Sequence, residues 1–293
     1  MTTPEKPVLP QKEILETYRR FSSDYDLKTM NTMVPVINHF LALIPPLDSS
    51  CIVHDNACGT GIVTQTIIAN MESAASQESA PSKMTFKCSD ISPDMINKLC
   101  EKIEKFEWTN VTATVMDSTQ LTFDDESFTH SISNFGIIFV PDPVAATRHI
   151  FRTLKHGGIC ISTSWEHWGY LPALQKAEQL IRPDLPSFTE TFPVKWASES
   201  FVRSVFEDGG FTGSNGAVIF DRCETTIQMD TLDKLTQSWW TMGYSVKGWA
   251  EEDKTKWLAV IMDELTKSED FYVDASGICH TKMYALICKA VKF

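Results

Sequence analysis

The 293-residue sequence lacks several patterns that would assign it to common classes of protein. None of its 8 cysteines forms a Cys-x-x-Cys pair, which argues against a metal site and against a disulfide framework. Its 26 Lys and Arg residues form no basic run, and they are outnumbered by 38 Asp and Glu residues. A net charge of -12 repels phosphate backbones, so nucleic acid is a poor partner. We therefore expect no metal ion, no nucleic-acid partner and a reducing compartment.

Long apolar segments are also missing. The longest one, residues 34–47, is interrupted by Pro35, His39 and the pair Pro45-Pro46, and it is too short to span a bilayer. The first residues, MTTPEKPVLPQKE, lack the apolar core of a signal peptide. These features predict a cytoplasmic protein with no membrane partner. Because nothing in the sequence indicates a dimer surface, we expect a monomer.

Apolar strand patterns and amphipathic helical patterns alternate from residue 51 to residue 164, which is typical of a parallel α/β sheet. The last of these helices is predicted to begin near Val144 and to end at Gly157-Gly158. We predict N-terminal helices over 1–46, including helices over 11–21 and 28–44, that form part of a lid. A ligand-binding core follows over 47–165, and 166–293 supplies a substrate cap plus the last strands of the sheet.

A glycine turn follows the first predicted strand, in the segment Asp55-Asn56-Ala57-Cys58-Gly59-Thr60-Gly61. Glycines here allow the backbone to approach a ligand, and the N-terminus of the next helix attracts an anionic group. The spacing differs from the GxGxxG pattern of NAD-binding enzymes, which disfavours a dinucleotide. Taken alone, the turn is equally consistent with a tight connection that binds nothing.

Acidic residues follow the next two predicted strands. A carboxylate at Asp90 could accept hydrogen bonds from both ribose hydroxyls of a nucleoside, and one at Asp117 could accept from an adenine amino group. Each alone is more simply explained as a surface residue at a strand end, and Met95 is equally well a core residue of its helix. The order of the features carries the prediction, because the carboxyl ends of parallel strands meet at one edge, where such sheets bind ligands.

In this order of motifs the chain resembles the class I S-adenosylmethionine (SAM)-dependent methyltransferases, in the small-molecule group that includes the ubiquinone-biosynthesis type. Residues 55–61 are similar to the first motif of that family, D/E-x-G-x-G-x-G, with Ala57 at the first glycine, and Asn134-Phe135-Gly136 resembles the motif that faces the methyl group. The resemblance implies a Rossmann-like fold with a seven-stranded, mainly parallel sheet and a helical cap. The residues that it implies for SAM binding are Tyr25, Asp55, Asn56, Ala57, Cys58, Gly59, Gly61, Asp90, Ile91, Met95, Met116, Asp117, Ser118 and Asn134.

Two short segments, DNACGTG and STSW-x-x-W-G-Y-L-P, are most similar to fungal secondary-metabolite methyltransferases that S-methylate dithiol diketopiperazines such as gliotoxin. This resemblance implies a small, apolar substrate and favours transfer to a thiol. The alternatives are O- or N-methylation of a phenolic or amine metabolite, and a rearrangement on the same fold that transfers no methyl group.

The need for a general base depends on the nucleophile. A thiol, with a pKa of about 8.5, ionises readily, whereas a phenol or an alcohol needs a base. The best candidate is His167, which we expect in the loop after the fifth strand, although a lone histidine is more often structural. Aromatic walls suit an apolar, planar ligand. We expect Phe135, Trp165 and Trp168 to contact the substrate, while most other tryptophans pack the cap.

Overall fold

The computed structural model describes residues 25–74, 84–184, 194–213, 216–236 and 249–293. A sheet of 8 strands runs through the molecule in the order β3-β2-β1-β4-β5-β8-β6, and β7 pairs with β8. Neighbouring strands from β3 to β5 are parallel, whereas β8 is antiparallel to β5, β6 and β7. The strands are β1 (Ile52–Asn56), β2 (Thr85–Asp90), β3 (Val111–Val115), β4 (Phe128–Asn134), β5 (Leu154–Trp168), β6 (Gly216–Met229), β7 (Phe271–Val273) and β8 (Cys279–Lys292). The predicted Rossmann-like fold is confirmed, and β7 is a short strand beyond those expected.

Helices cover both faces of the sheet. On one face, Asn70 of α2 donates to Asn38 of α1 at 2.8 Å, and α1 packs on β6. On the other face, α6 contacts both α4 and β6. The predicted helix over 11–21 lies outside the described residues. The helices within them are α1 (Tyr25–Ala42), α2 (Ile62–Ala74), α3 (Pro93–Lys105), α4 (Pro143–Thr153), α5 (Leu171–Ile181), α6 (Glu199–Asp208) and α7 (Glu251–Thr266).

The start of α3 follows the sequence signals, but its end does not. Ser92 caps the helix, since its side-chain oxygen accepts the Met95 N–H at 3.4 Å, and Pro93 takes the first helical position. The apolar spacing of Leu99, Ile103 and Phe106 in the sequence predicts that all three face the core, and for Phe106 this prediction is wrong. Phe106 follows the last helical residue, is 47% exposed and stacks on Trp108.

The largest difference from the sequence prediction concerns β5. Helix α4 ends at Thr153 rather than at Gly157-Gly158, and the glycines lie inside the strand. Leu154 already pairs with Phe128 of β4, and the register shifts before Ile159 pairs with His130. Gly157, with a φ of 78°, adopts the left-handed conformation within this irregular stretch, so the glycines serve a strand bulge and not a helix end.

Buried apolar residues form two clusters. The larger one joins both faces of the sheet to the helices that flank it. The smaller one joins α5 and α7 to the start of β8, with Leu174, Trp257, Ile261 and Cys279 among its members. Within the described ranges, no helix is both long and apolar enough to cross a membrane.

Candidate cofactor and substrate site

The two glycines of the turn after β1 have different structural roles. Both have a positive φ, 54° at Gly59 and 82° at Gly61. A Cβ added to Gly61 would lie 2.5 Å from Leu99 Cδ1, so this glycine allows α3 to pack closely against the turn. A Cβ added to Gly59 would meet no atom within 4 Å. The turn therefore has open space beside Gly59, where a ligand can approach the backbone.

Asp90 lies at the end of β2 and ties the glycine turn to the start of α3. Its Oδ2 accepts the Gly59 N–H and its Oδ1 accepts the Ser92 N–H, both at 2.8 Å. Burial raises the pKa of Asp90, against the lowering effect of these hydrogen bonds. Because each carboxylate oxygen has a second lone pair, Asp90 can also accept hydroxyl donors from a ligand.

Asp55, the first residue of the motif, points in the other direction. Its carboxylate is 1% exposed, and its Oδ2 accepts from Thr64 of α2 twice, from the hydroxyl at 2.7 Å and from the backbone N–H at 3.2 Å. Burial raises the pKa of Asp55 to about 7. The side chain thus anchors α2 to the end of β1 and does not reach the open space beside Gly59.

The turn after β3 meets the end of β1. Ser118 donates to Asn56 Oδ1 at 2.8 Å, and both side chains are buried. The Asn56 Nδ2 group is also buried and has no hydrogen-bond partner among the described residues. Asp117 holds the turn by accepting from Thr119. A buried donor without an acceptor is costly, so Asn56 fits a site in which a bound group supplies one.

The remaining predicted cofactor residues surround these groups, with one outside the described side chains. Met116 donates its backbone N–H to the Asp90 carbonyl at 2.9 Å. Ile91 is half-buried beside Asp90, and Met95 is buried on α3. Tyr25 is the first residue of α1, and its side chain lies outside the described part of the structure. The space beside Gly59 and the donor of Asn56 together fit SAM, a nucleoside with polar substituents.

A contact between Ala57 and Gly136 joins the glycine turn to the end of β4. Ala57 has a φ of 55°, the conformation that a glycine would adopt without strain at this motif position. A Cβ on Gly136 would lie 2.4 Å from the Ala57 Cβ, so the missing side chain at Gly136 makes room for the methyl group of Ala57. The predicted methyl-facing segment therefore packs directly on the predicted cofactor turn.

Aromatic residues extend from this junction. Phe135, with a φ of 55°, stacks on Trp165 with ring centroids 4.0 Å apart and an angle of 18° between the planes. Trp165 and Trp168 are both buried, and Trp168 pairs with Met283 of β8. Thr163 of β5 holds the segment in place through hydrogen bonds to the Phe135 N–H and to Asn134, each 2.8 Å long. These contacts place an apolar, aromatic wall beside Asn134.

The structure corrects the expected position of His167. It lies in β5 and not in a loop, and a β-bulge separates it from Trp165. Trp165 pairs with Ala285, whereas His167 pairs with Tyr284, so the two side chains lie on opposite faces of the sheet. Trp165 shares the face that α1 covers, since Ala285 pairs with Cys223, which contacts Pro35 of α1.

On its own face, His167 has a carboxylate partner that the sequence did not indicate. Its Nε2 lies 2.8 Å from Asp270 Oδ2, in a pair that is partly exposed. Gly169 makes this approach possible, because a Cβ there would lie 2.5 Å from the Asp270 Cβ. The two partners are 103 residues apart, and no local pattern marks Asp270. This position does not support contact between His167 and the wall at Phe135.

The fold and the site have the features of class I methyltransferases. These features are a Rossmann-like sheet, a glycine turn after β1, acids at the end of β2 and after β3, and a polar–aromatic segment after β4. The profile of the ubiE/COQ5 methyltransferase family matches residues 8–192, more than half of the chain, and the chain belongs to that family. It is accordingly a SAM-dependent methyltransferase.

Individual relatives agree with this class. Methyltransferase ktnA of Aspergillus niger is 25% identical over 263 residues, which cover 80% of this chain and 84% of ktnA. The acetylaranotin bis-thiomethyltransferase of Aspergillus terreus is 22% identical over 212 residues, 69% of this chain and 71% of that protein. Among solved structures, the 4+2 cyclase SpnF has a TM-score of 0.60 at 12% identity and covers 97% of this chain and 98% of its own. That last likeness concerns the fold alone.

Proposed function

We propose that this methyltransferase transfers the methyl group of SAM to the sulfur atom of a small, apolar thiol metabolite. The observation that carries the proposal is the Phe135–Trp165 stack beside Asn134, held against the glycine turn through Gly136 and Ala57. It puts a flat, apolar wall next to the predicted cofactor site. The relationship to a bis-thiomethyltransferase adds support for sulfur as the acceptor atom.

SAM, when bound, supplies a methyl group on a positively charged sulfonium, which needs little further activation. The protein has to hold the nucleophile in line with it and exclude water. Asp90 is suited to accept hydrogen bonds from the ribose hydroxyls of SAM. Asp117, Ser118 and Asn56 are suited to bind its adenine ring. We assign the binding of SAM to Tyr25, Asp55, Asn56, Ala57, Cys58, Gly59, Gly61, Asp90, Ile91, Met95, Met116, Asp117, Ser118 and Asn134, with Asp55 acting through its anchorage of α2.

On the substrate side, Phe135, Trp165 and Trp168 would bury the apolar body of the thiol and displace water from it. A thiol with a pKa of about 8.5 is partly ionised near neutral pH, so its chemistry demands less of the protein than that of an alcohol. Methylation of a phenol is the second candidate. That reaction needs a general base. His167 is the candidate that the sequence offers, but it lies on the face of the sheet opposite to Trp165, which disfavours this role.

Mass spectrometry with SAM that carries a deuterated methyl group tests the proposal. The purified full chain is incubated with a dithiol diketopiperazine, a phenol and an amine of similar size. We expect the label on sulfur of the first compound and much less label on the others. Label on the phenol or the amine alone would replace sulfur by that atom, and consumption of a test compound without transfer of label would favour a rearrangement.

A further inference from the structure

The side-chain carboxamide of Asn134, at the end of β4, is held in one orientation by its neighbours. A carboxamide has one accepting oxygen and one donating nitrogen, and either can face a ligand. Here Asn134 Oδ1 accepts from the Thr163 hydroxyl at 2.8 Å, whereas Nδ2 lies 3.8 Å from the thioether sulfur of Met33. The oxygen is thus occupied within the protein, and the nitrogen faces only a weak acceptor on α1.

The direction of the Thr163 hydroxyl fixes this arrangement. Its oxygen already accepts the N–H of Phe135 at 2.8 Å, and its side chain is 1% exposed. Its own proton therefore needs an acceptor, and Asn134 Oδ1 is the one within reach. If the carboxamide were reversed, the Thr163 proton would face the Nδ2 group, and a buried hydroxyl would be left without an acceptor, which is unfavourable.

We propose that Thr163 is a positioning residue that turns the N–H groups of Asn134 toward the reacting centre, and that the enzyme consequently selects nucleophiles that react as anions. This inference rests on the proposed function. A donor at this point favours the ionisation of a bound thiol or phenol, because hydrogen bonds to charged acceptors are the stronger ones. A neutral amine needs an acceptor for its N–H groups, and the accepting oxygen of Asn134 is already used.

The reaction balances with this assignment. The thiol loses its proton to solvent before transfer, and the thiolate sulfur donates a lone pair to the methyl carbon. The bond between that carbon and the sulfonium breaks with its electrons going to the cofactor sulfur. The products are a neutral thioether and neutral S-adenosylhomocysteine (SAH), so no oxidant, reductant or further co-reactant is needed.

The test compares Thr163→Val with Thr163→Ser in the full chain, using phenylmethanethiol, phenol and aniline as probes. The thiol of phenylmethanethiol is mainly protonated at neutral pH, so its reaction depends on ionisation in the site. Valine keeps the shape but removes the hydroxyl, and serine keeps the hydroxyl. For Thr163→Val we expect kcat for phenylmethanethiol to fall about tenfold or more, while kcat for aniline changes less than about threefold. Thr163→Ser should restore the native preference. Thr147→Val is the control for the loss of a buried threonine hydroxyl elsewhere in the chain. The Thr147 hydroxyl donates to the Pro143 carbonyl within α4.

A spectroscopic readout makes the result independent of the choice of probe. In ¹⁵N spectra of the SAH complex, the side-chain NH₂ signals of Asn134, assigned with Asn134→Asp, should move strongly in Thr163→Val and little in Thr163→Ser. Unchanged signals in Thr163→Val, equal losses of kcat on all three probes, or an amine preference in the native enzyme would overturn the inference. Failure of the native chain to bind SAH would instead refute the proposed function, and the two failures are thus distinguishable.

Discussion

The edge of the parallel strands and the extended end of β5 differ in how their residues reach the site. At the edge, Asp90 ends β2 and Asp117 lies two residues beyond β3, and the parallel pairing of β1, β2 and β3 brings them to one edge of the sheet. At the end of β5, Trp165 and His167 are two residues apart and would share a face in a regular strand. A bulge sends them to opposite faces. The spacing of residues in the sequence thus predicts which face of the sheet a side chain occupies where strand pairing is regular, but not across a bulge.

The largest expected effect concerns the acid that holds the edge together. We expect Asp90→Ala to weaken SAM binding by at least about 100-fold, because it would remove the carboxylate proposed to accept from the ribose hydroxyls and would release the Gly59 and Ser92 amides. Titration calorimetry measures the affinity, and circular dichroism checks that the fold is retained. Asp94→Ala, in the first turn of the same helix, is the matched control and should bind normally. Equal affinities of the two variants would remove Asp90 from the site.

The two glycines of the turn should separate stability from binding. Gly61→Ala should lower the free energy of unfolding by about 2–3 kcal/mol, since its methyl group would overlap Leu99. Gly59→Ala has space for its methyl group, so it should cost only about 1 kcal/mol for its positive φ. The methyl group of Gly59→Ala should also reduce SAM affinity by roughly tenfold or more, because it would fill the space beside the backbone that the ligand needs. Denaturant unfolding and calorimetry on both variants check this, and a reversed pattern would contradict the assigned tasks.

The next effect depends on pH and concerns Asp55. Its pKa is about 7 in the fold against 3.8 as the ordinary value, so the folded state holds a proton that the unfolded chain has lost between those pH values. The stability contributed by the protonated group is complete below pH 3.8 and is lost as the pH rises through about 7. Compared with Asp55→Asn, the native chain should therefore lose stability from low pH to neutral, by on the order of a few kcal/mol. Parallel curves of unfolding free energy against pH for the two proteins would show that Asp55 is ionised throughout.

The smallest effect is expected at His167. Its pair with Asp270 is partly exposed, so His167→Ala should cost no more than about 1 kcal/mol of stability. Because the ring faces away from Trp165, methyl transfer to a phenol and to a thiol should fall by similar and small factors. Steady-state rates on both compounds, measured against pH, check this. A selective loss on the phenol would restore His167 as a general base and would mean that the face seen here is not the one used in catalysis.

The fold could be predicted from the sequence, and the candidate cofactor residues could be placed at one edge of the sheet, because each informative residue lies within a few positions of a strand end. Prediction from the sequence failed where long-range pairing decides the outcome. Leu154 joins β5 because β4 offers it a partner, although Gly157-Gly158 looks like a helix end. Asp270 reaches His167 across 103 residues. The role of the Thr163 hydroxyl depends on the pairing of β4 with β5. Nothing in the sequence distinguishes Thr163 from other strand threonines.

Titration calorimetry of SAM into the native full chain, with NAD as the comparison ligand, examines the proposed cofactor site itself. We expect one SAM bound per chain with a Kd of about 1–100 μM and no detectable binding of NAD. Absence of SAM binding at millimolar concentration, with the chain folded, would contradict the assignment of the carboxyl edge of the sheet as a SAM site.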